Sequence, residues 1–183
     1  MDSRDFALIL QVSPERIAKL GDADLNSLMS DLLRAHAYEA HVDVSQIRIN
    51  AEVKAPDDGC DGWSPKPNAS DSWFGSTQTC WQWKAGVSGQ PQKLSGEVVK
   101  PIPRATLLAG GRFVVVASGS TSGKAGEDDR LEVLRKEAIA AALPTNSIDV
   151  IGCEWTCPVS VDSFSTSLLV SGLTSSILHR SAV

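Results

Sequence analysis

Apolar residues recur at helical spacing over residues 24–38, where Leu25, Leu28, Met29, Leu32 and Leu33 form one stripe. Asp22 or Asp24 suits the N-cap of this helix. Asn26 and Asp31 lie off the stripe's centre, each either solvated or turned toward a site. Ahead of it, Phe6 to Val12 is a short apolar run, and Ser13-Pro14 starts a helix that Gly21 stops. From Ile47 the pattern switches to strict alternation and predicts a strand over 47–53. A second strand covers Cys80-Trp81-Gln82-Trp83-Lys84-Ala85 and ends at Gly86. The nearly all-apolar run Arg112-Phe113-Val114-Val115-Val116-Ala117 reads as an interior strand covered on both faces. Between these strands a short helix is expected over 94–99, closed by Pro101 and Pro103, with a further helical turn reaching Leu108. A helix over 131–143 with Leu131, Leu134, Ala138 and Ala142 inward, then a strand over 148–153, completes the series. This alternation predicts an α/β domain with a mixed sheet.

Three stretches break the periodicity. Pro56-Asp57-Asp58-Gly59-Cys60-Asp61-Gly62 is a tight acidic turn. Residues 64–79 form a long polar insertion whose apolar anchor is Trp73 and Phe74, read equally as a substrate-contacting loop or an irregular hairpin. Residues 118–129 read as a loop rich in glycine, serine and charge. Its Gly119-Ser120-Thr121-Ser122-Gly123-Lys124-Ala125 lacks the glycine spacing and the residue after lysine that a phosphate loop needs.

The chain has 183 residues, which suits one domain, or one plus an extension. The domain is expected over 24–158, after a lead-in over 1–23. Residues 159–183 read as an extension or the start of a linker to a further domain. A net charge of −5 argues against a broad basic field for gripping nucleic acid. No run is long enough to span a bilayer, and no signal peptide is evident, so a cytoplasmic location without membrane association is expected. In that reducing setting Cys60, Cys80, Cys153 and Cys157 are expected as free thiols. Cys153 and Cys157 have a spacing that suits a metal, but a second short pair is missing. His36, His41 and His179 show no ligand spacing.

Successive strand side chains point to opposite faces, so Trp81 and Trp83 share one face and Cys80, Gln82 and Lys84 the other. The tryptophans read as core, whereas a glutamine and a lysine on a covered face ask for a reason. A phosphodiesterase needs oxygen ligands for a hard cation, a water it can activate, and positive charge at the scissile phosphate. Asp61 offers a carboxylate, Gln82 an amide oxygen, Trp83 its backbone carbonyl, and Lys84 the charge. Lysine on an edge strand and Asp-Gly in a turn are equally the ordinary furniture of a fold.

Taken together, Asp58-Gly59-Cys60-Asp61-Gly62 and Cys80-Trp81-Gln82-Trp83-Lys84-Ala85-Gly86 resemble the restriction-endonuclease-like nucleases of the PD-(D/E)XK superfamily, in the Mrr-like branch where glutamine replaces the second acid. Asp24-Leu25-Asn26-Ser27-Leu28 looks like the opening helix of such domains. Lys93-Leu94-Ser95-Gly96-Glu97 and Gly111-Arg112-Phe113-Val114-Val115-Val116 look like the helix and strand that follow the catalytic strand. The resemblance covers about 24–118 and less surely reaches 153. It implies an α/β sandwich with a central mixed sheet flanked by helices. It also implies Asp61, Gln82 and Lys84 as catalytic residues, and Mg2+ (or Mn2+) held by Asp61, Gln82 and the Trp83 carbonyl. Double-stranded DNA is the implied substrate. Many members carry a glutamate on the opening helix where Asn26 stands here. That departure leaves Asp31, Asp57 or Asp58 to substitute, or makes the domain one that binds DNA, or another protein, without cutting. Trp73 is the candidate DNA contact. The resemblance further implies an N-terminal effector of a larger bacterial defence or restriction protein, with other domains in the same polypeptide and self-association.

Overall fold

A computed structural model of the chain describes residues 14–39, 42–50, 58–66, 76–119 and 124–152. The expectations for Phe6 to Val12, Asp57, Trp73, Cys153, Cys157 and residues 159–183 lie outside these. A short helix α1 (Pro14–Ile17) precedes the long helix α2 (Asp22–Glu39), which crosses the expected domain boundary between 23 and 24. After a 3-10 turn (Val44–Gln46) come β1 (Arg48–Ile49), β2 (Gly62–Ser64) and β3 (Thr79–Ala85). Two further 3-10 turns (Gly86–Gly89 and Pro91–Lys93) lead to α3 (Pro101–Leu108), β4 (Arg112–Ser118), α4 (Lys124–Ala140) and β5 (Ile148–Ile151).

The five strands form one sheet in chain order. β1, β2 and β3 are antiparallel neighbours, whereas β3–β4 and β4–β5 are parallel. The sheet is therefore mixed, and helices flank it. Strand alternation sorts the apolar side chains into two layers. Leu25, Met29, Leu33 and Ala37 of α2 pack with Trp81 and Trp83 of β3 and Val114 and Val116 of β4. The opposite layer joins Cys80, Phe113, Val115 and Ile148 of the sheet to Leu94, Val98, Leu107, Leu134 and Ala138. β3 and β4 are buried on both faces, as a sheet with helices on both sides requires.

Several expectations need correction. Residues 94–99 are not a helix: the segment from Gly86 to Lys100 runs as 3-10 turns and bends. Pro101 does not close a helix but opens α3, at a position whose N–H would have no intrahelical partner anyway. Helix α4 begins at Lys124, so half of the expected loop 118–129 is helical. Its inward positions begin with Gly126 and the buried Arg130, whose Nε donates to the Gly89 carbonyl at 2.6 Å; an apolar stripe appears only with Leu134 and Ala138. Ala142 is exposed rather than inward, with a φ of 54°. It terminates α4 in the left-handed conformation, while the N–H of the buried Leu143 donates back to the Ala138 carbonyl at 2.8 Å. Among the described residues no helix is long and apolar enough to cross a membrane.

Candidate functional site

The site grows from the point where β2 leaves β3. Their antiparallel ladder runs from Ser64 opposite Thr79 to Gly62 opposite Trp81. One more backbone bond follows, from Asp61 N–H to the Trp81 carbonyl at 2.9 Å. Beyond it the chain turns away through Asp58 and Gly59, with φ values of 49° and 89°. A glycine is required at the second of these, because a Cβ there would sit 2.7 Å from Cβ and Cδ of Lys100. Cys80 Sγ faces the Gly59 carbonyl at 3.7 Å, and Ile102 N–H donates to the Asp58 carbonyl at 3.2 Å. The turn is thus held between β3 and the start of α3.

Where the ladder ends, the Asp61 side chain continues it. Asp61 Oδ2 accepts from the backbone N–H of Trp83 at 2.8 Å and from Gln82 Nε2 at 2.7 Å. The structure therefore brings Asp61 and Gln82 together. Within an extended strand the N–H and C=O of one residue point to the same flank, so the Trp83 carbonyl points to the flank that β2 has vacated. Asp61 is half-buried and Gln82 is 1% exposed.

Lys84 follows Gln82 on the same face of β3, but its ammonium does not join Asp61. It pairs with Glu97 Oε1 at 3.0 Å, and the other Glu97 oxygen pairs with Lys100 Nζ at 2.7 Å. The Glu97 side chain is 9% exposed, Lys84 18% and Lys100 37%. Burying a carboxylate is costly unless it is paired, and here two ammonium groups flank it. Glu97 and Lys100 were not singled out from the sequence. Their one local signal is an acid three residues before a lysine, and the irregular backbone over 94–99 gives it no helical meaning.

The supporting candidates separate. Asn26 Oδ1 accepts from the Trp83 indole N–H at 2.9 Å, and its amide nitrogen donates to the Asn50 carbonyl at 3.3 Å. Asn26 therefore holds the far side of Trp83. Asn50 N–H in turn donates to the Asp61 carbonyl at 2.8 Å, which ties the two ends of the site together. Asp31 takes the solvated alternative: it is exposed, half a turn round α2 from the stripe of Leu25, Met29 and Leu33, and so faces away from the sheet. Asp58 is exposed as well and acts through its backbone in the turn.

Among the described residues no group of three or more His, Cys, Asp or Glu side chains is placed to hold a metal ion. The oxygen set at this point is one carboxylate, one amide and one backbone carbonyl. That set suits a hard cation of the Mg2+ kind, which binds through one or two carboxylates and completes its shell with water and substrate phosphate. Comparison with protein-family models found no match, and comparisons with curated proteins and with solved structures found none either.

Proposed function

We propose that this chain carries a metal-dependent endonuclease domain of restriction-endonuclease-like fold that hydrolyses phosphodiester bonds in double-stranded DNA. The observation that carries the reading is the 2.7 Å contact between Asp61 and Gln82 where the β2–β3 ladder ends, with Lys84 next along the same face. An opening helix packed on the sheet and the strand Arg112–Ser118 follow the order of the resemblance, whereas the helix after β3 is Pro101–Leu108 and not the Lys93–Glu97 segment that the resemblance implied. In this reading Asp61, the Gln82 amide oxygen and the Trp83 carbonyl hold Mg2+ or Mn2+. The cation supplies Lewis-acid stabilisation and a water of lowered pKa. Lys84 donates to a phosphate oxygen as negative charge builds there, an interaction worth most in the transition state. The net charge of −5 favours delivery to DNA by other domains, as in a larger restriction or defence protein.

One observation favours a second reading, a domain of the same fold that binds DNA without cutting. Asn26 contributes no carboxylate and is engaged with Trp83, and Asp31 faces away, so among the described residues Asp61 is the acid at this point. The test is incubation of the full chain with duplex DNA in Mg2+ or Mn2+, and in chelator. Cleavage that requires the metal supports the nuclease. Retention of duplex in chelator with intact DNA in both metals supports the binding module, and neither activity sinks both.

A further inference from the structure

The proposed chemistry uses Lys84 but leaves Glu97 and Lys100 without a role. Glu97 is among the most buried acids of the described residues, and it is not spent on one lysine: each oxygen takes a different ammonium, at 3.0 and 2.7 Å. The three side chains together carry a surplus positive charge. Charge balance alone asks for one lysine beside this acid, so it does not account for the second.

Lys100 is also held along its stem. Its Cβ and Cδ lie over Gly59, so close that no side chain fits there. That glycine belongs to the turn that delivers Asp61. The stem is therefore fixed against one part of the site and the ammonium against another, which removes much of the rotamer freedom a surface lysine keeps. Lys100 nonetheless remains partly open to solvent, at 37% exposure, and so retains donors for an incoming anion. An immobilised, partly exposed ammonium beside a second one is a phosphate-binding arrangement.

We propose that Glu97 gathers Lys84 and Lys100 into one phosphate-binding site, in which Lys100 takes a backbone phosphate of the nucleic acid adjacent to the one at Lys84. Glu97 is then a positioning residue and Lys100 a binding residue. The proposal rests on the nuclease reading and deepens it.

The experiment measures affinity of the full chain for a short DNA duplex in Ca2+, over a series of salt concentrations, alongside steady-state cleavage in Mg2+. Each phosphate contact on duplex DNA contributes about 0.9 to the slope of log affinity against log salt. Lys100→Gln should flatten that slope by about one and raise KM while kcat changes little. Glu97→Gln keeps both lysines, so its slope should match wild type while kcat falls. Glu97→Asp should restore part of kcat. An unchanged slope and KM in Lys100→Gln, with wild type binding and cutting, overturns the two-lysine site and leaves the nuclease reading standing. A wild type that neither binds nor cuts duplex overturns both. Should Glu97→Gln fail to fold, the half-exposed Lys100 variant still decides the matter.

Discussion

Asp61 occupies, with its side chain, the position on the Trp83 N–H that a neighbouring strand's carbonyl takes elsewhere in the ladder. The same oxygen receives the Gln82 amide. One carboxylate therefore closes the backbone account of β3 and presents the charge on which the proposed chemistry depends. Its substitution has two separable consequences.

Asp61→Ala should abolish metal-dependent cleavage and also leave the Trp83 N–H without its acceptor, at a cost of about 1–3 kcal/mol. Asp61→Asn keeps an acceptor oxygen and should be inactive yet closer to wild type in stability. Urea denaturation beside the cleavage assay checks this. Equal stability of the alanine variant and wild type would contradict the capping role.

Lys84→Ala should lower the cleavage rate by a factor of about 10²–10³, since a charge placed at a developing oxyanion acts mainly in the transition state. The stability loss should be moderate, about 1–2 kcal/mol, because Glu97 loses one partner and keeps Lys100. Raising Mg2+ should not restore the rate. Comparable cleavage by the folded variant would mean that Lys84 is an ordinary strand residue neutralised by Glu97.

Gln82→Glu sets a second carboxylate against Asp61 Oδ2, where the amide now donates at 2.7 Å. Without a cation the two should repel, lowering the melting temperature in chelator. Mg2+ or Mn2+ should recover it, because a ligand that binds only the folded state stabilises that state. Differential scanning fluorimetry with and without metal reads this directly. A melting temperature insensitive to metal would argue that no cation sits between these residues.

Gly62→Ala tests the apolar support of the site. A Cβ at Gly62 would lie 2.5 Å from the Trp83 ring, so the indole would have to shift, and its 2.9 Å bond to Asn26 would be disturbed. Overpacking of this kind costs about 1–3 kcal/mol. The expected signs are lower stability and altered tryptophan fluorescence; a variant unchanged in both would show that the ring accommodates freely.

The strands at the centre of the sheet were legible because burial on both faces dictates their composition. β4 follows its apolar run closely, and the facing of Trp81 and Trp83 followed from strand alternation alone. The meeting of Asp61 with Gln82 was legible as a possibility, since a turn and a strand carried the two groups. What escaped the sequence was the irregular backbone. Residues 86–100 have no period to detect, so Glu97 passed as part of a helix. Pro101 is equally suited to ending one helix and beginning another. The first turns of α4 hid because Gly126 and Arg130 occupy the inward positions where an apolar stripe is normally sought.

The ladder between β2 and β3 closes at Ser64 opposite Thr79, on the side of Gly62 away from Asp61. The connection between those two strands therefore joins the sheet at the end of the ladder away from Asp61. Loop-closure entropy rises only slowly with length, by about 0.6 kcal/mol per doubling. This connection can accordingly lengthen, shorten or change composition over evolution while Asp61 and Gln82 stay in register. A change in what this connection carries is thereby uncoupled from the register of Asp61 and Gln82, and a foreign peptide could be inserted there while the β2–β3 ladder stays paired.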